Sequence, residues 1–339
     1  MKSKVTNRNS PSAAGFGDLI TEIARLLASS RRVLVASHED PDGDAIGSQL
    51  ALASYLRHLG KEVFLVCANV IPEKYLFLPG AKDIPHVESL GEGFAVDTAV
   101  VLDCPVLDRT GAAIRFLDDG VRIVNVDHHR GNTEFGEIAW VNSEASSVGE
   151  MVFEFFQQVG YPVSKEIAWQ LYTAILTDTG RFRFSSTTLR TMEIAGLLIE
   201  AGADPHKICD MVYYAKPSST MKLEGMVLGS VEFHDDDRIC FLTLTREMLA
   251  QSGAHESEGE GLADFTLHGR NVRAGALLRE INNGRTKVSL RSRDSIDVAA
   301  LAAKLGGGGH DNASGCTMLM PLAQARQELL RLIREVVND

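Results

Sequence analysis

The sequence predicts an α/β protein of two domains, a parallel-sheet N-terminal domain joined by a helical linker to a smaller α+β C-terminal domain with a mixed sheet. Three observations lead there. The chain has 339 residues, enough for two cores at roughly 150 residues per domain. In its first part, short apolar, β-branched runs alternate with stretches of helical period, the pattern of a parallel sheet covered on both faces. In its last part, paired strand-like runs flank turn signals and read as hairpins. These features place the domains at residues 16–202 and 230–339, with the linker at 203–229.

From Asp18 to Ser30, Ile20, Ile23, Leu26 and Leu27 recur at helical spacing and lead into a buried strand, Val33 to Ala36. A polar turn, Ser37 to Asp44, precedes a helix with Ile46, Leu50, Ala53 and Leu56 on one face. Gly60 stops that helix, and Val63 to Val66 form a second strand. A third strand, Ala99 to Leu102, ends at Asp103 and is followed by a short helical piece, and a fourth, Ile123 to Val126, ends at Asp127. Helices are expected over Ser147 to Val159, Ser164 to Thr177 and Thr188 to Glu200, with Gly160 and Gly202 as stops. The mixed helical and polar stretch that follows contains Pro205 and Pro217 and reads as the connection. Val231 to Phe233 and Ile239 to Leu244 then form a hairpin around Asp235-Asp236-Asp237, and Ala274 to Ile281 and Lys287 to Leu290 a second around Asn283-Gly284.

Composition narrows the function. No run approaches the ~18 apolar residues that cross a bilayer, and the Ser-, Lys- and Asn-rich start, Met1 to Gly17, lacks the apolar core of a secretory signal. No membrane partner is expected. Lys and Arg number 34 against 45 Asp and Glu, a net charge of −11 that disfavours coating long nucleic acid. The five cysteines, Cys67, Cys104, Cys209, Cys240 and Cys316, are scattered without C-x-x-C spacing and read as reduced thiols in a cytoplasm. Phe153, Phe155 and Phe156 are candidates for a homodimer face, with burial in the core the simpler reading.

In parallel α/β sheets, ligands collect beyond the carboxyl ends of the strands. Here those positions hold acids and histidines: His38-Glu39-Asp40-Pro41-Asp42-Gly43-Asp44 after the first strand, Asp103 after the third, Asp127-His128-His129 after the fourth. A helix also ends at Thr177-Asp178-Thr179-Gly180. Taken singly, an Asp after a strand is often a helix cap, and a His pair is often inert. Gathered at one sheet edge, however, unpaired carboxylates repel one another unless a cation sits among them. Six ligand candidates, His38, Asp42, Asp44, Asp103, His128 and Asp178, exceed the needs of one partly open ion. They suit two divalent cations that accept N and O donors, manganese foremost.

These motifs, in this order, resemble those of the DHH phosphoesterase superfamily. Ser289-Leu290-Arg291-Ser292 and Gly307-Gly308-Gly309-His310-Asp311-Asn312-Ala313-Ser314-Gly315 look like the substrate-binding signature of the DHH-associated domain. The resemblance spans nearly the whole chain and is nearest to the nanoRNase, or oligoribonuclease, group that also acts on 3′-phosphoadenosine 5′-phosphate. It implies that His38, Asp42 and Asp103 hold one metal and Asp44, Asp103, His128 and Asp178 the other, with Asp103 bridging. It further implies that His129 meets the scissile phosphate and that Asp127 orients the histidines. Asp103, Asp127 and His129 are thus the catalytic candidates, and Arg291, Gly308, Gly309 and His310 the substrate-binding ones. Glu39 and Asp40 are assigned no role. Arg181 and Arg183 lie near the metal motifs, with a surface role at least as simple.

Two such cations lower the pKa of bound water and arm hydroxide for attack on phosphorus without a covalent enzyme intermediate. A few local arginines suffice for short oligoribonucleotides or small nucleotides, whereas a long strand wants an extended basic groove with stacking aromatics. The activity that the resemblance implies is hydrolysis of short oligoribonucleotides to mononucleotides and of 3′-phosphoadenosine 5′-phosphate to AMP and phosphate. Turnover of linear or cyclic dinucleotide signals uses the same metal chemistry and is the alternative enzyme. A nucleotide-binding regulator is the alternative outside catalysis, and the intact ligand positions argue against it.

Overall fold

The computed structural model describes residues 13–89, 95–117, 120–259 and 261–338; the polar start at residues 1–12 lies outside them. The chain divides into two compact units, Met1–Ala215 and Lys216–Asp339.

In the first unit, α1 (Ala13–Ser29) leads into β1 (Arg32–Ala36), α2 (Gly43–His58) and β2 (Glu62–Val66). After a stretch of short 3₁₀ turns come β3 (Thr98–Leu102), a 3₁₀ segment (Leu107–Phe116), β4 (Arg122–Asp127) and β5 (Ile138–Val141). Then follow α3 (Val148–Val159), α4 (Lys165–Asp178), α5 (Leu189–Glu200) and α6 (Pro205–Cys209). The five strands are parallel, in the order β2-β1-β3-β4-β5. Alternation along β1 explains its continuous apolar run. Val33 and Val35 join the large core with Ile46, Leu50, Phe156 and Ile175 of the helices, while Leu34 and Ala36 face a smaller cluster with Val87, Ala113 and Phe116. One face is thus covered by α-helices and the other, where helices were also expected, by 3₁₀ turns. Phe153, Phe155 and Phe156 are all buried, and Tyr55 packs edge-on against Phe155 at 5.1 Å, so these rings build the core rather than a homodimer face.

The second unit runs α7 (Ser218–Leu228), β6 (Glu232–His234), β7 (Ile239–Leu244), α8 (Arg246–Ser252), a 3₁₀ segment (Leu262–His268), β8 (Ala274–Ile281) and β9 (Arg285–Ser292). It finishes with α9 (Val298–Lys304), β10 (Gly308–His310), β11 (Ala313–Met318) and α10 (Leu322–Asn338). The six-stranded sheet has the order β10-β11-β9-β8-β7-β6. It is mixed, because β7 and β8 pair in parallel and the other neighbours antiparallel. Both expected hairpins are present, and Gly284 takes the left-handed turn position, φ 66°.

Residues 203–229 do not form a free-standing connection. Ile208 and Val212 are buried in the first core and Leu223 and Val227 in the second, so apolar side chains draw each half of the stretch into one unit, and the division falls after Ala215. The five cysteines are free. Among the described residues no helix is long and apolar enough to cross a membrane.

Candidate metal centre

The carboxyl ends of β1, β3 and β4 place their polar residues side by side because the strands are adjacent and in register. Val35 lies opposite Val100, and Val101 opposite Asn125. Asp42 caps α2, its Oδ1 accepting the N–H groups of Asp44 at 2.9 Å and Ala45 at 3.0 Å. Asp44, one step into the helix and fully buried, accepts the Val148 and Gly149 N–H groups from the start of α3 at 2.7 and 2.8 Å, and the Ser48 hydroxyl at 3.1 Å. Asp178 is the last residue of α4.

Asp103 stands at the middle. Its backbone takes φ 53°, a conformation Asp adopts more readily than most residues, and its N–H donates to Val126 O at 3.0 Å. Its Oδ2 is 3.3 Å from His38 Nε2, and its Oδ1 is 3.7 Å from His128 Nε2 and 3.6 Å from His129 Nδ1. His38, Asp42 and Asp103 offer ligand atoms all within 4.8 Å of one another, as do Asp44, Asp103 and His128. Asp178 Oδ2 lies 3.3 Å from His128 Nε2 and joins the second group. All six candidate ligands therefore converge, in two sets that share Asp103.

The histidines are held differently. Nδ1 of His38 bonds the Glu39 carbonyl at 2.6 Å and Nδ1 of His128 the Ala145 carbonyl at 3.2 Å, so each turns Nε2 toward the acids. His129 instead pairs Nδ1 with the buried Asp127 carboxylate at 2.7 Å. Sequence reasoning missed Asn132, which donates to Asp127 Oδ2 at 2.6 Å. It also missed the start of α3, which holds Asp44. Neither carries a periodic or motif signal.

The charges are poorly matched within the protein alone. Burial, with the charges of Asp103 and Asp178, pushes the Asp44 carboxyl far above its ordinary value. Burial, resisted by His128 and reinforced by Asp42 and Asp103, lifts Asp178 to about 7. Burial works against the imidazolium of His38, but Asp103 and Asp42 raise it to about 9. His128 rises to about 9 against burial, through Asp178, Asp103 and Asp44. Burial would raise Asp103 too, yet the hydrogen bond and charge of His38, with His129 and His128, hold it well below the carboxylate range. Asp103 Oδ1 is nonetheless buried without a hydrogen bond. Mutually repelling carboxylates, imidazole nitrogens turned inward and an orphaned carboxylate oxygen are a donor set that fits divalent cations.

In the second unit Arg291 lies opposite Ala313, and Ala313 opposite His310, so the two side chains share one row and one face of the sheet. Arg291 Nε donates to Asp264 Oδ1 at 2.7 Å, a partner the sequence reading did not find. Gly308 and Gly309 form the exposed edge strand β10. A Cβ on Gly309, φ 140°, would lie 2.6 Å from the Ala313 carbonyl oxygen, so close strand packing itself requires glycine there. Arg181 stacks over Tyr213 at 4.6 Å and Arg183 over Phe184 at 5.3 Å.

A parallel-sheet unit with this acid and histidine edge, followed by a mixed-sheet unit carrying an Arg and His row, defines a metal-dependent phosphoesterase. The chain belongs to the DHH family of such hydrolases, matching the DHH family, N-terminal domain over residues 32–175 and the DHHA1 domain over 237–339. It is 35% identical over 323 residues to the bifunctional oligoribonuclease and PAP phosphatase NrnA of Thermus thermophilus, covering 94% of this chain and 93% of that one. It is 27% identical to the protein of the same name from Bacillus subtilis, over 88% of this chain and 93% of that one. The crystal structure of an exopolyphosphatase-related protein from Bacteroides fragilis superposes with a TM-score of 0.88 at 29% identity, covering 95% of this chain and 97% of that one.

A cation among these carboxylates offsets their repulsion, so folding and metal binding are linked. Mn²⁺ at about 100 times its Kd is expected to add about 2.7 kcal/mol per site, raising the melting temperature of the first unit by roughly 5–10 °C for each site filled. A chelator should reverse the shift, as thermal melts monitored by circular dichroism would show; equal melting temperatures with and without Mn²⁺ would contradict a cation site here.

Proposed function

We propose that this protein hydrolyses short oligoribonucleotides to mononucleotides and 3′-phosphoadenosine 5′-phosphate to AMP and phosphate, in the cytoplasm, with two manganese ions. The observation that carries the reading is Asp103, flanked by His38 and Asp42 on one side and by Asp44, His128 and Asp178 on the other. The two named oligoribonuclease and PAP phosphatase relatives, similar over almost the whole chain, supply the substrate class.

On this reading His38, Asp42 and Asp103 hold one cation and Asp44, Asp103, His128 and Asp178 the other. When bound, the pair lowers the pKa of water and neutralises charge on the phosphoryl oxygens. Hydrolysis adds the water oxygen to phosphorus as the bond to the leaving ester oxygen breaks, and that oxygen gains a proton. His129, braced by Asp127, meets the scissile phosphate. Arg291 and His310 grip the nucleotide by charge-assisted hydrogen bonds, with the backbone of Gly308 and Gly309 beside them. Purified protein with Mn²⁺ is expected to release AMP from pApA and phosphate from 3′-phosphoadenosine 5′-phosphate; failure on both would end the proposal, and faster cyclic than linear diadenylate turnover would shift it to signal breakdown.

The Asp264–Arg291 pair gives a separate expectation. Arg291 Nη1 is spent on the Leu290 carbonyl at 3.0 Å and Nε on Asp264, so Asp264 sets the plane of the guanidinium. Asp264→Ala should raise KM for the bisphosphate about tenfold, the worth of one charge-assisted hydrogen bond, with kcat changed less than about twofold. An unaltered KM would remove Asp264 from the account.

A further inference from the structure

We propose that Asn132 is a positioning residue for the reaction, acting through Asp127 to hold the His129 ring in place. The inference rests on the reading of His129 as the phosphate-contacting side chain. Asp127 is fully buried at the end of β4, with Oδ1 on His129 Nδ1 at 2.7 Å and Oδ2 on Asn132 Nδ2 at 2.6 Å. The orientation of the Asn132 carboxamide is dictated by its surroundings. Its Oδ1 accepts the Glu134 N–H at 2.5 Å, and its Nδ2 faces three acceptors: Asp127 Oδ2, Asn125 Oδ1 at 2.8 Å and the Cys104 carbonyl at 3.3 Å. A tight turn, closed by Asn132 N–H to His129 O at 3.2 Å, brings the carboxamide back under the histidine that it braces.

The consequence is mechanical. A carboxylate fixed at only one oxygen can rotate, and the imidazole paired with that oxygen rotates with it. With Oδ2 held by Asn132 and the backbone carbonyl of Asp127 accepting the Asn142 N–H at 2.9 Å, Asp127 has one orientation and so has His129. This bracing separates His129 from His38 and His128, which lean on backbone carbonyls. Asn132 also reaches Cys104, next to Asp103, so an effect through Asp103 is the competing route and the test must divide the two.

Steady-state kinetics on pApA with Mn²⁺ would do so for Asn132→Ala, Asn132→Asp, His129→Ala and the Asn132→Ala/His129→Ala double variant. Asn132→Ala is expected to lower kcat about 10–100-fold, as lost bracing groups do, with KM and Mn²⁺ affinity little changed. The double variant should be no slower than His129→Ala alone. Asn132→Asp keeps the shape but sets a second carboxylate against Asp127, so it should be at least as slow as Asn132→Ala. Additive losses, or wild-type kcat in Asn132→Asp, would overturn the proposal. Should the wild type prove inert on nucleotides, the reading of His129 fails on its own, and imidazole NMR of the magnesium-loaded protein decides the bracing. The His129 Nδ1 proton, shifted downfield by Asp127, should move upfield in Asn132→Ala; an unmoved signal would refute it.

Discussion

Asp103→Asn is expected to lower kcat on short oligoribonucleotides about a thousandfold or more while the protein stays folded. Asp103 is the carboxylate that, among the described residues, belongs to both ligand sets, close to His38 through Oδ2 and to His128 through Oδ1. Removing it would deprive both proposed cations of a shared anionic donor. A loss of about 4 kcal/mol of transition-state charge stabilisation corresponds to roughly three decades in rate. Asn is the right replacement because the backbone at 103 has φ 53°, where Asn is tolerated and Ala would add strain of order ~1 kcal/mol. The fold should survive, since the lost attraction to His38 and His128 is offset by relief of repulsion toward Asp44, whose carboxyl Asp103 helps push up, and toward Asp178. Elemental analysis should find fewer than two tightly held Mn²⁺ per chain. Unchanged turnover with both ions retained would sink the bridging role.

The candidate ligands were legible in the sequence because the fold makes them so. β1 and β3 are buried on both faces, apart from the first residue of β1, so their apolar runs are unbroken, and the first polar residue after each run marks the edge where parallel strands deliver ligands. β5, Ile138–Val141, is a four-residue apolar run of the kind that marks β1 and β3, so its strand was legible too, although the expected elements above leave it out. α10 carries Ala325, Leu329, Leu332 and Ile333 on its buried face, a helical period that a reading led by hairpins leaves out. The bracing groups were hidden for another reason. Asp264 meets Arg291 from 27 positions away, and Asn132 reaches Asn125 and Cys104 on neighbouring strand ends. Such contacts exist only after the chain has folded, and an Asn in a polar loop advertises none of them.

The convergence of Asp44 with Asp178 depends on how closely α2 approaches α4, and there the second large effect is expected. A Cβ built on Gly47 would lie 2.3 Å from the Gln170 carbonyl oxygen and 3.2 Å from Ala174 Cβ. In an open helix, Gly to Ala stabilises by about 0.5–1 kcal/mol through reduced chain entropy. At Gly47 the obstacle is backbone of a buried helix, which yields only if the helices part, and overpacking of that kind costs about 1–3 kcal/mol. The clash should win. Gly47→Ala is expected to lower the melting temperature by several degrees, roughly 2–4 °C for each kcal/mol lost. It should also weaken Mn²⁺ binding, because Asp44 sits one turn before Gly47 on α2 and Asp178 two turns after Gln170 on α4. Gly196, exposed on α5 with nothing within 4 Å of its Cβ position, is the control, and Gly196→Ala should melt at or above the wild-type temperature. If both variants gain stability, the absence of a side chain at Gly47 does not set how closely α2 approaches α4, and the link drawn from that contact to the two carboxylates fails.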